Sequence, residues 1–374
     1  MSSPSTHTPA EAVVCAGLRR QLYRSRRVTG GFSRRRAGHR RPAMAPPTLT
    51  WVLRSTKVTR VRRSVMTAGL GGAAYGIARS RAGWILRQPD RYPIERLRHE
   101  PVGGQVAVVR PDGSRIRAVS AGVGPPVVLA HGFYLSLIEW AVVWDALLDL
   151  GCQVIAFDQR GHGQSSIGSD GVGPASMADD YLAILDHFDV HDGILVGHSL
   201  GGFLAIQLLL DHPEVALRLR GLVLCGANAG RILQGSLENR LRVPLLRWRI
   251  LQRAAATRTG GQLFGASMEG DTPSPAEISL FLDVFLRQDH HSMVRVLDAV
   301  VGADNYARLG EIGLPTVVIC GDKDRVVPPF HSTLLVDALS DARLVSLRGR
   351  GHMLNWEAPE AIVEAVRGFA PRMS

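Results

Sequence analysis

Beyond Arg91, short apolar runs alternate with longer stretches of helical periodicity. Eight of these runs predict strands, which lie at residues 106–109, 115–119, 127–130, 153–157, 193–198, 221–225, 316–320 and 343–347. Pro111-Asp112-Gly113 separates the first two runs and predicts a hairpin. The later runs alternate with segments that predict helices at residues 140–150, 177–188, 200–210, 331–339 and 359–369. This order predicts the α/β class, with a mostly parallel eight-stranded sheet covered by helices on both faces.

One long segment, from Asn228 to about Tyr306, interrupts this alternation. It has no strand-like run, and its parts 241–257 and 275–287 have the pattern of amphipathic helices. Active sites of parallel sheets gather at the carboxyl ends of the strands. Because the segment lies between two strands whose ends face that region, we predict a helical lid over residues 228–306, inserted in a core of residues 91–227 and 307–374. A surface excursion with no role in substrate choice is the alternative.

Residues 1–90 form a leader of different composition. Residues 1–50 combine Pro, Ser and Arg without apolar periodicity, which predicts a largely disordered leader. Arg62-Arg63 precedes a Gly/Ala-rich apolar segment at 65–78, as in a twin-arginine export signal, but this segment is too short to span a bilayer as a helix. We expect a cytoplasmic protein, or one with peripheral membrane contact through residues 59–86. Export is an alternative.

The basic charge of the chain is confined to this leader. The whole chain carries a net charge of +11 and residues 1–65 carry +14, which leaves −3 for the remainder. Of the 44 basic residues 42 are Arg, which indicates a codon bias more than a functional surface. We therefore expect no nucleic-acid partner for the folded part, although phosphate binding by the Arg-rich leader is an alternative.

The four cysteines are scattered through the chain, at Cys15, Cys152, Cys225 and Cys320. They form no CxxC pair and no Cys/His cluster with the spacing of zinc ligands. Three of them lie in or beside predicted strands, where thiols are usually buried. We therefore expect no structural disulfide and no metal, and no organic cofactor is implied.

The strongest candidate for chemistry lies where the 193–198 run stops at Gly197-His198-Ser199-Leu200-Gly201. Apolar helical periodicity resumes at residues 203–206, so the pattern predicts a strand, a tight turn and a helix with Ser199 at the apex. The helix turns its N-terminal amides toward the same point, where they can stabilise an oxyanion. Ser199 is therefore the predicted nucleophile. By itself, the pentapeptide is equally compatible with an ordinary Gly-rich turn.

A serine nucleophile needs an imidazole base that a carboxylate orients. In the chain order Ser, acid, His, the acid follows a late strand and the histidine follows the last one. Asp324 follows the 316–320 run, and His352 follows the 343–347 run in a Gly-x-Gly-His setting. We predict Asp324 as the acid, because three residues past the glycine the chain has turned toward the histidine loop. Asp322 is expected to cap the loop.

Two backbone amides are expected to form the oxyanion hole. Leu200 at the start of the helix supplies one, and Phe133 in the first strand-to-helix loop supplies the other. Gly132 lets that loop turn its amides inward. His131, Gly132 and His198 are expected to support the site without taking part in bond making.

Together these motifs resemble the α/β-hydrolase superfamily over about residues 100 to 370. The resemblance rests on His131-Gly132-Phe133, residues 158–165 (Asp-Gln-Arg-Gly-His-Gly-Gln-Ser), residues 197–202, residues 321–328 and Gly351-His352. The motifs are similar to those of bacterial serine esterases, lipases and haloperoxidase-like hydrolases, and the Gly/Ala-rich leader resembles actinobacterial members. Epoxide hydrolases and haloalkane dehalogenases of this fold carry aspartate as nucleophile, so Ser199 argues against both.

The resemblance and the residues imply a serine hydrolase that cleaves carboxylic esters of small or medium apolar acyl groups through an acyl-enzyme. A carbon–carbon bond hydrolase, a cofactor-free perhydrolase, a thioesterase and an aminopeptidase are alternatives, since all use the same triad. A membrane-associated binding protein with a vestigial site is the non-enzymatic alternative. The expected partner is a small-molecule ester.

Overall fold

Eight strands form one sheet in the computed structural model of the protein, which describes residues 72–369. The strands are β1 (Gly104–Val109), β2 (Arg115–Ala121), β3 (Pro126–Ala130), β4 (Gln153–Phe157), β5 (Gly193–His198), β6 (Leu219–Cys225), β7 (Thr316–Gly321) and β8 (Ala342–Leu347). Their order across the sheet is β1-β2-β4-β3-β5-β6-β7-β8. The β1–β2 hairpin and the β2–β4 pair are antiparallel, and all other pairs are parallel. The predicted α/β sheet is confirmed.

Burial along the strands follows their place in the sheet. Every residue of β5, in the middle, is buried, whereas exposed positions recur along the edge strands β1 and β8. A strand covered on both faces consists of apolar residues throughout, while an edge strand can expose alternate side chains. This difference explains why the run before Ser199 is so uniformly apolar.

Thirteen helices can be followed through residues 72–369. They are α1 (residues 72–85), α2 (Ile94–Leu97), α3 (Ala141–Asp149), α4 (Pro174–His187), α5 (Leu200–Asp211), α6 (Leu237–Arg247), α7 (Ile250–Ala255), α8 (Arg258–Ala266), α9 (Pro275–Arg287), α10 (His290–Val300), α11 (Phe330–Ala338), α12 (Leu354–Glu357) and α13 (Pro359–Phe369). Short 3₁₀ helices occupy Leu137–Trp140, Pro213–Arg218 and Tyr306–Glu311. Helices α4, α5 and α11 pack on one face of the sheet and α3 and α13 on the other.

The helices between β6 and β7, α6 to α10, form a helical insertion. Its apolar side chains, among them Phe281 and Phe285, pack with Tyr134 after β3 and with Met353 and Trp356 after β8. The insertion therefore lies over the carboxyl ends of the strands. Residues 90–91 join it from the N-terminal side, since Asp90 accepts a hydrogen bond from the Ala276 N–H at the start of α9.

The stretch 241–257, whose pattern predicts helical structure, holds parts of two helices, α6 and α7. α6 begins earlier, at Leu237, where Ser236 accepts a hydrogen bond from the Asn239 N–H. It ends before Arg249, which adopts a left-handed conformation with φ +58°. A left-handed residue cannot continue an α-helix, so the chain changes direction before α7.

Expectations for the leader fall mostly outside the described residues. The predicted disorder of 1–50, Arg62-Arg63 and the start of the apolar segment at 65–71 all lie there, as does Cys15. α1 begins the described part with exposed side chains and ends with the buried Ile85. Across the described residues, no helix combines the length and apolar character that a membrane span requires. Cys152, Cys225 and Cys320 are buried free thiols.

Candidate active site

Ser199 lies at a sharp turn between β5 and α5. Its backbone has φ +52° and ψ −113°, an uncommon conformation for any residue other than glycine. The Ser199 N–H donates to the Cys225 carbonyl at 2.9 Å, which ties the turn to the end of β6. A Cβ at Gly201 would lie 2.1 Å from the Ala130 carbonyl oxygen, and one at Gly197 would lie 2.6 Å from the Gly202 Cα. Strand and helix therefore approach this closely only because those residues have no side chain.

Asp324 and His352 meet beside this turn, although 28 residues separate them in the chain. The His352 Nδ1 and the Asp324 Oδ2 are 2.7 Å apart, and both side chains are buried. The other oxygen, Oδ1, accepts hydrogen bonds from the Val326 and Val327 N–H groups, each at 2.8 Å. The carboxylate therefore has a fixed orientation toward the imidazole. Asp322 does something different, because its Oδ1 accepts from the Gly349 N–H at 2.7 Å.

The loop that carries His352 is held from several sides. The His352 N–H donates to the Met268 carbonyl of the insertion at 2.8 Å. The Glu357 carboxylate accepts from the Gly351 N–H at 3.0 Å and from the Gly270 N–H at 2.9 Å. Gly226, with φ +50°, leaves room for the ring, since a Cβ there would lie 3.1 Å from the His352 Nδ1. These contacts place the imidazole next to the Ser199 turn.

The amides of Phe133 and Leu200 are available at the same place. Within residues 72–369, neither N–H donates a hydrogen bond to another protein atom. Both residues line the cavity that Ser199 and His352 also line. Free amides beside a serine are the kind of donor that a developing oxyanion needs.

His131 and Gly132 connect this loop to its surroundings. The buried His131 Nε2 accepts a hydrogen bond from the Gln159 N–H at 2.9 Å, so the ring joins the loop after β3 to the 158–165 loop. Burial lowers the pKa of His131 to about 4, which keeps the ring neutral. A Cβ at Gly132 would lie 2.8 Å from the His198 Nδ1, so the ring of His198 requires glycine there.

Two buried acidic features near the site are absent from the residues predicted from the sequence. Glu139 lies in the 3₁₀ helix after β3, fully buried, and contacts Gly132 and His198. The only signal in the sequence is an acid between apolar Ile138 and Trp140, next to a predicted helix. Its partners lie far away in the chain, and no local pattern can reveal them.

The second feature is a cluster of three buried carboxylates behind the His352 loop, Glu269, Glu277 and Glu357, with Arg91 as their cationic neighbour. Arg91 forms an ion pair with Glu277 and donates to the Thr272 carbonyl at 2.6 Å. Burial raises the pKa of Glu277 to about 7 in spite of Arg91. The cluster joins the segment before α2, the insertion and the His352 loop.

A cavity of about 160 Å³ opens next to Ser199. Most of its walls are apolar, and they include Phe133, Val243, Leu246, Phe264, Phe281 and Phe285. All but the first of these come from the insertion. Asn228, Asn239 and Arg242 add polar groups. The Arg242 Nη2 donates hydrogen bonds to Glu238 Oε2 at 3.1 Å and to Ser267 Oγ at 3.2 Å. The cavity therefore presents a mainly apolar surface beside Ser199.

Comparisons with known proteins agree with this architecture. The chain is 31% identical to a non-heme chloroperoxidase from Kitasatospora aureofaciens over 58% of this chain and 80% of the relative. It is 33% identical to a putative carbamate hydrolase from Variovorax paradoxus over 67% of this chain and 93% of the relative. An esterase from Exiguobacterium antarcticum has a similar fold, with a TM-score of 0.63 at 22% identity, over 72% of this chain and 99% of that one.

The family model for the alpha/beta hydrolase fold matches residues 125–359, which span the sheet from β3 onward together with the insertion. The order of the strands, the turn at Ser199 and the extent of this match lead to one conclusion. The chain belongs to the α/β-hydrolase family.

Proposed function

We propose that the protein is a serine hydrolase that cleaves carboxylic esters of small or medium apolar acyl groups. One observation carries the proposal: Ser199 stands at a strained turn in the wall of an apolar cavity, which His352 also lines, and Asp324 holds the His352 Nδ1 at 2.7 Å. A group of residues that only stabilised the fold would not require a strained serine, an oriented imidazole and two free amides at one point.

The reaction follows from this geometry. Ser199 Oγ attacks the acyl carbon while the His352 Nε2 accepts its proton, and Asp324 stabilises the imidazolium that forms. The Phe133 and Leu200 amides bind the oxyanion of the tetrahedral intermediate, where one such donor is typically worth about 3 kcal/mol. His352 then donates the proton to the leaving alcohol. Water, activated by the same imidazole, releases the acid and restores Ser199.

The size of the cavity and its walls suggest the acyl preference. Pockets for drug-sized ligands usually have volumes of about 300–1,000 Å³. The cavity beside Ser199, at about 160 Å³, is smaller, and apolar side chains of the insertion form much of its wall. The insertion therefore acts as a lid that limits the length of the acyl group.

A panel of p-nitrophenyl esters of increasing acyl length, measured on the full chain, tests the proposal. We expect turnover of short and medium acyl esters, a steep fall for long ones, and no turnover by Ser199→Ala. Retained activity in Ser199→Ala would sink the assignment of the nucleophile. An inactive panel with a Ser199 that still reacts with a fluorophosphonate would point instead to amides, thioesters or carbon–carbon bonds. An inert Ser199 would favour a binding protein.

The similarity to a non-heme chloroperoxidase favours a second candidate on the same residues, a cofactor-free perhydrolase. In that reaction hydrogen peroxide replaces water in the attack on the acyl-enzyme, and a peracid leaves in place of the acid. Peracid formation from acetate and hydrogen peroxide, measured beside ester hydrolysis, decides between them. A peracid rate well above the hydrolytic rate would make the perhydrolase the better description.

A further inference from the structure

The fully buried Glu139 side chain joins two loops of the site. Both carboxylate oxygens are 3.3 Å from the Gly132 nitrogen, which donates its proton to them. Gly132 directly precedes Phe133, whose amide is a proposed oxyanion donor. Glu139 Oε2 also lies 3.3 Å from the Nδ1 of His198, the residue before Ser199. One carboxylate thus contacts the neighbours of both the oxyanion donor and the nucleophile.

The ring of His198 continues this chain of contacts to the proposed base. Its Nε2–H donates to the backbone carbonyl of His352 at 3.0 Å. The two imidazole rings also pack against each other, with their centroids 4.8 Å apart. His198 is itself fully buried, so no solvent competes for these contacts.

The contacts of His198 with Glu139 and with the His352 carbonyl suit the protonated form of its ring. Both nitrogens of His198 face oxygen acceptors, and only the imidazolium has a proton for each of them. Burial by itself lowers the pKa of His198, but the Glu139 carboxylate raises it above the ordinary value for histidine. A buried cation and a buried anion persist when they are paired and hydrogen-bonded. The Glu139 carboxylate therefore favours the charged form of His198, the form that donates to both oxygens.

We propose that Glu139 and His198 are positioning residues, which hold the loops of Phe133 and His352 in fixed geometry relative to Ser199. The inference rests on the proposed function, because it assigns these residues to the reaction of Ser199. Three loops, after β3, β5 and β8, come from distant parts of the chain, and the Glu139–His198 pair contacts all of them. A misplacement of about 1 Å among reacting groups costs about 10²-fold in rate. The relative positions of these three loops therefore matter for catalysis.

Two substitutions of His198 separate positioning from packing. In His198→Gln the side-chain amide nitrogen reaches the place of Nε2 and keeps a donor for the His352 carbonyl. In His198→Asn it reaches only the place of Nδ1, so the contact with Glu139 remains and the bond to His352 is lost. We expect the rate constant for fluorophosphonate labelling of Ser199 to fall about 10²-fold in His198→Asn and less than about 10-fold in His198→Gln.

Substitutions of Glu139 provide a second, independent pair of variants, which also tests the inference if a His198 variant does not fold. Glu139→Gln keeps an oxygen for the Gly132 N–H, whereas Glu139→Ala removes it. We expect Glu139→Ala to lower kcat for ester turnover with little change in KM, since Glu139 is not among the residues that line the cavity. Glu139→Gln should recover most of kcat. Asp180→Asn is the control, because Asp180 is an equally buried carboxylate whose partners are Arg110 and Arg160. It should lower stability without lowering kcat of the folded enzyme.

Equal labelling rates in His198→Asn and His198→Gln, or an unchanged kcat in folded Glu139→Ala, would overturn the inference. Failure of the wild type to react with the fluorophosphonate would overturn the proposed function, and this inference with it. A reactive wild type with the graded losses described above supports both.

Discussion

Replacing Asp324 by asparagine perturbs the charge of the acid while its shape is kept. In the wild type, Oδ1 accepts from the N–H groups of Val326 and Val327, each at 2.8 Å, and Oδ2 faces the His352 Nδ1. The new amide keeps its oxygen toward the two N–H groups and turns its NH₂ toward His352. Nδ1 must then accept a hydrogen bond, so the proton of the neutral ring lies on Nε2. That is the nitrogen that has to accept the proton of Ser199.

The cost of this substitution follows from the same contacts. Rotating the amide would restore the useful tautomer, but it would leave the Val326 and Val327 N–H groups without their acceptor, which costs about 1–3 kcal/mol for a buried donor. The bond from the imidazolium to a charged acceptor, which contributes about 1.5–3 kcal/mol, is lost in either orientation. A loss on the order of 5 kcal/mol in the transition state corresponds to about 10³–10⁴ in kcat.

The assay is kcat for a short-chain p-nitrophenyl ester, with the folded fraction measured by circular dichroism. Asp324 does not line the cavity, so KM should change little. Asp322→Asn is the matched control, since its carboxylate contacts the Gly349 N–H and not His352. We expect that variant to retain kcat within a few-fold. More than a tenth of wild-type kcat in folded Asp324→Asn, or an equal loss in Asp322→Asn, would refute the reasoning.

Three further predictions concern the turn, the acidic cluster and the lid. Gly201→Ala places a Cβ 2.1 Å from a backbone oxygen and should lower Tm sharply in differential scanning fluorimetry. Gly302→Ala is the control, because no atom lies within 4 Å of a Cβ there, and its Tm should not fall. Equal Tm values for the two variants would contradict the close approach at Gly201. The pKa of Glu277 is raised to about 7 from 4.5, so its contribution to stability is complete below about pH 4.5 and is lost as pH rises through 7. Urea unfolding of Glu277→Gln should therefore show a gain over wild type that grows from pH 5 to pH 8, and a constant difference would count against a raised pKa. Val243→Phe should fill part of the cavity and shift the ratio of kcat/KM for butyrate over octanoate esters upward, and an unchanged ratio would remove the insertion from acyl selection.

The sheet could be predicted because its signals are local. A fully buried strand such as β5 must be apolar throughout, and a turn with the close approaches of Gly197 and Gly201 needs small residues, so both features appear in the sequence itself. Asp324 and His352 could be placed by the same reasoning, since each follows its own strand and parallel strands end at one edge of the sheet.

What could not be predicted depends on contacts between distant segments. The break between α6 and α7 occurs at Arg249, an arginine in a left-handed conformation, where no glycine or asparagine signals a helix end. Glu139 meets His198 across 59 residues, and Arg91 meets Glu277 across 186. In the sequence, the two members of such a buried pair are isolated charged residues, and each resembles an ordinary surface residue.

We expect Ser199 to carry the acyl group during turnover. Acid quenching within the first turnover of an ester substrate, followed by peptide mass spectrometry, measures this directly. The expected result is a mass increase equal to the acyl group on the peptide that contains Ser199, which disappears as water completes the reaction. Ester turnover with no adduct on that peptide, or with an adduct on another residue, would contradict it.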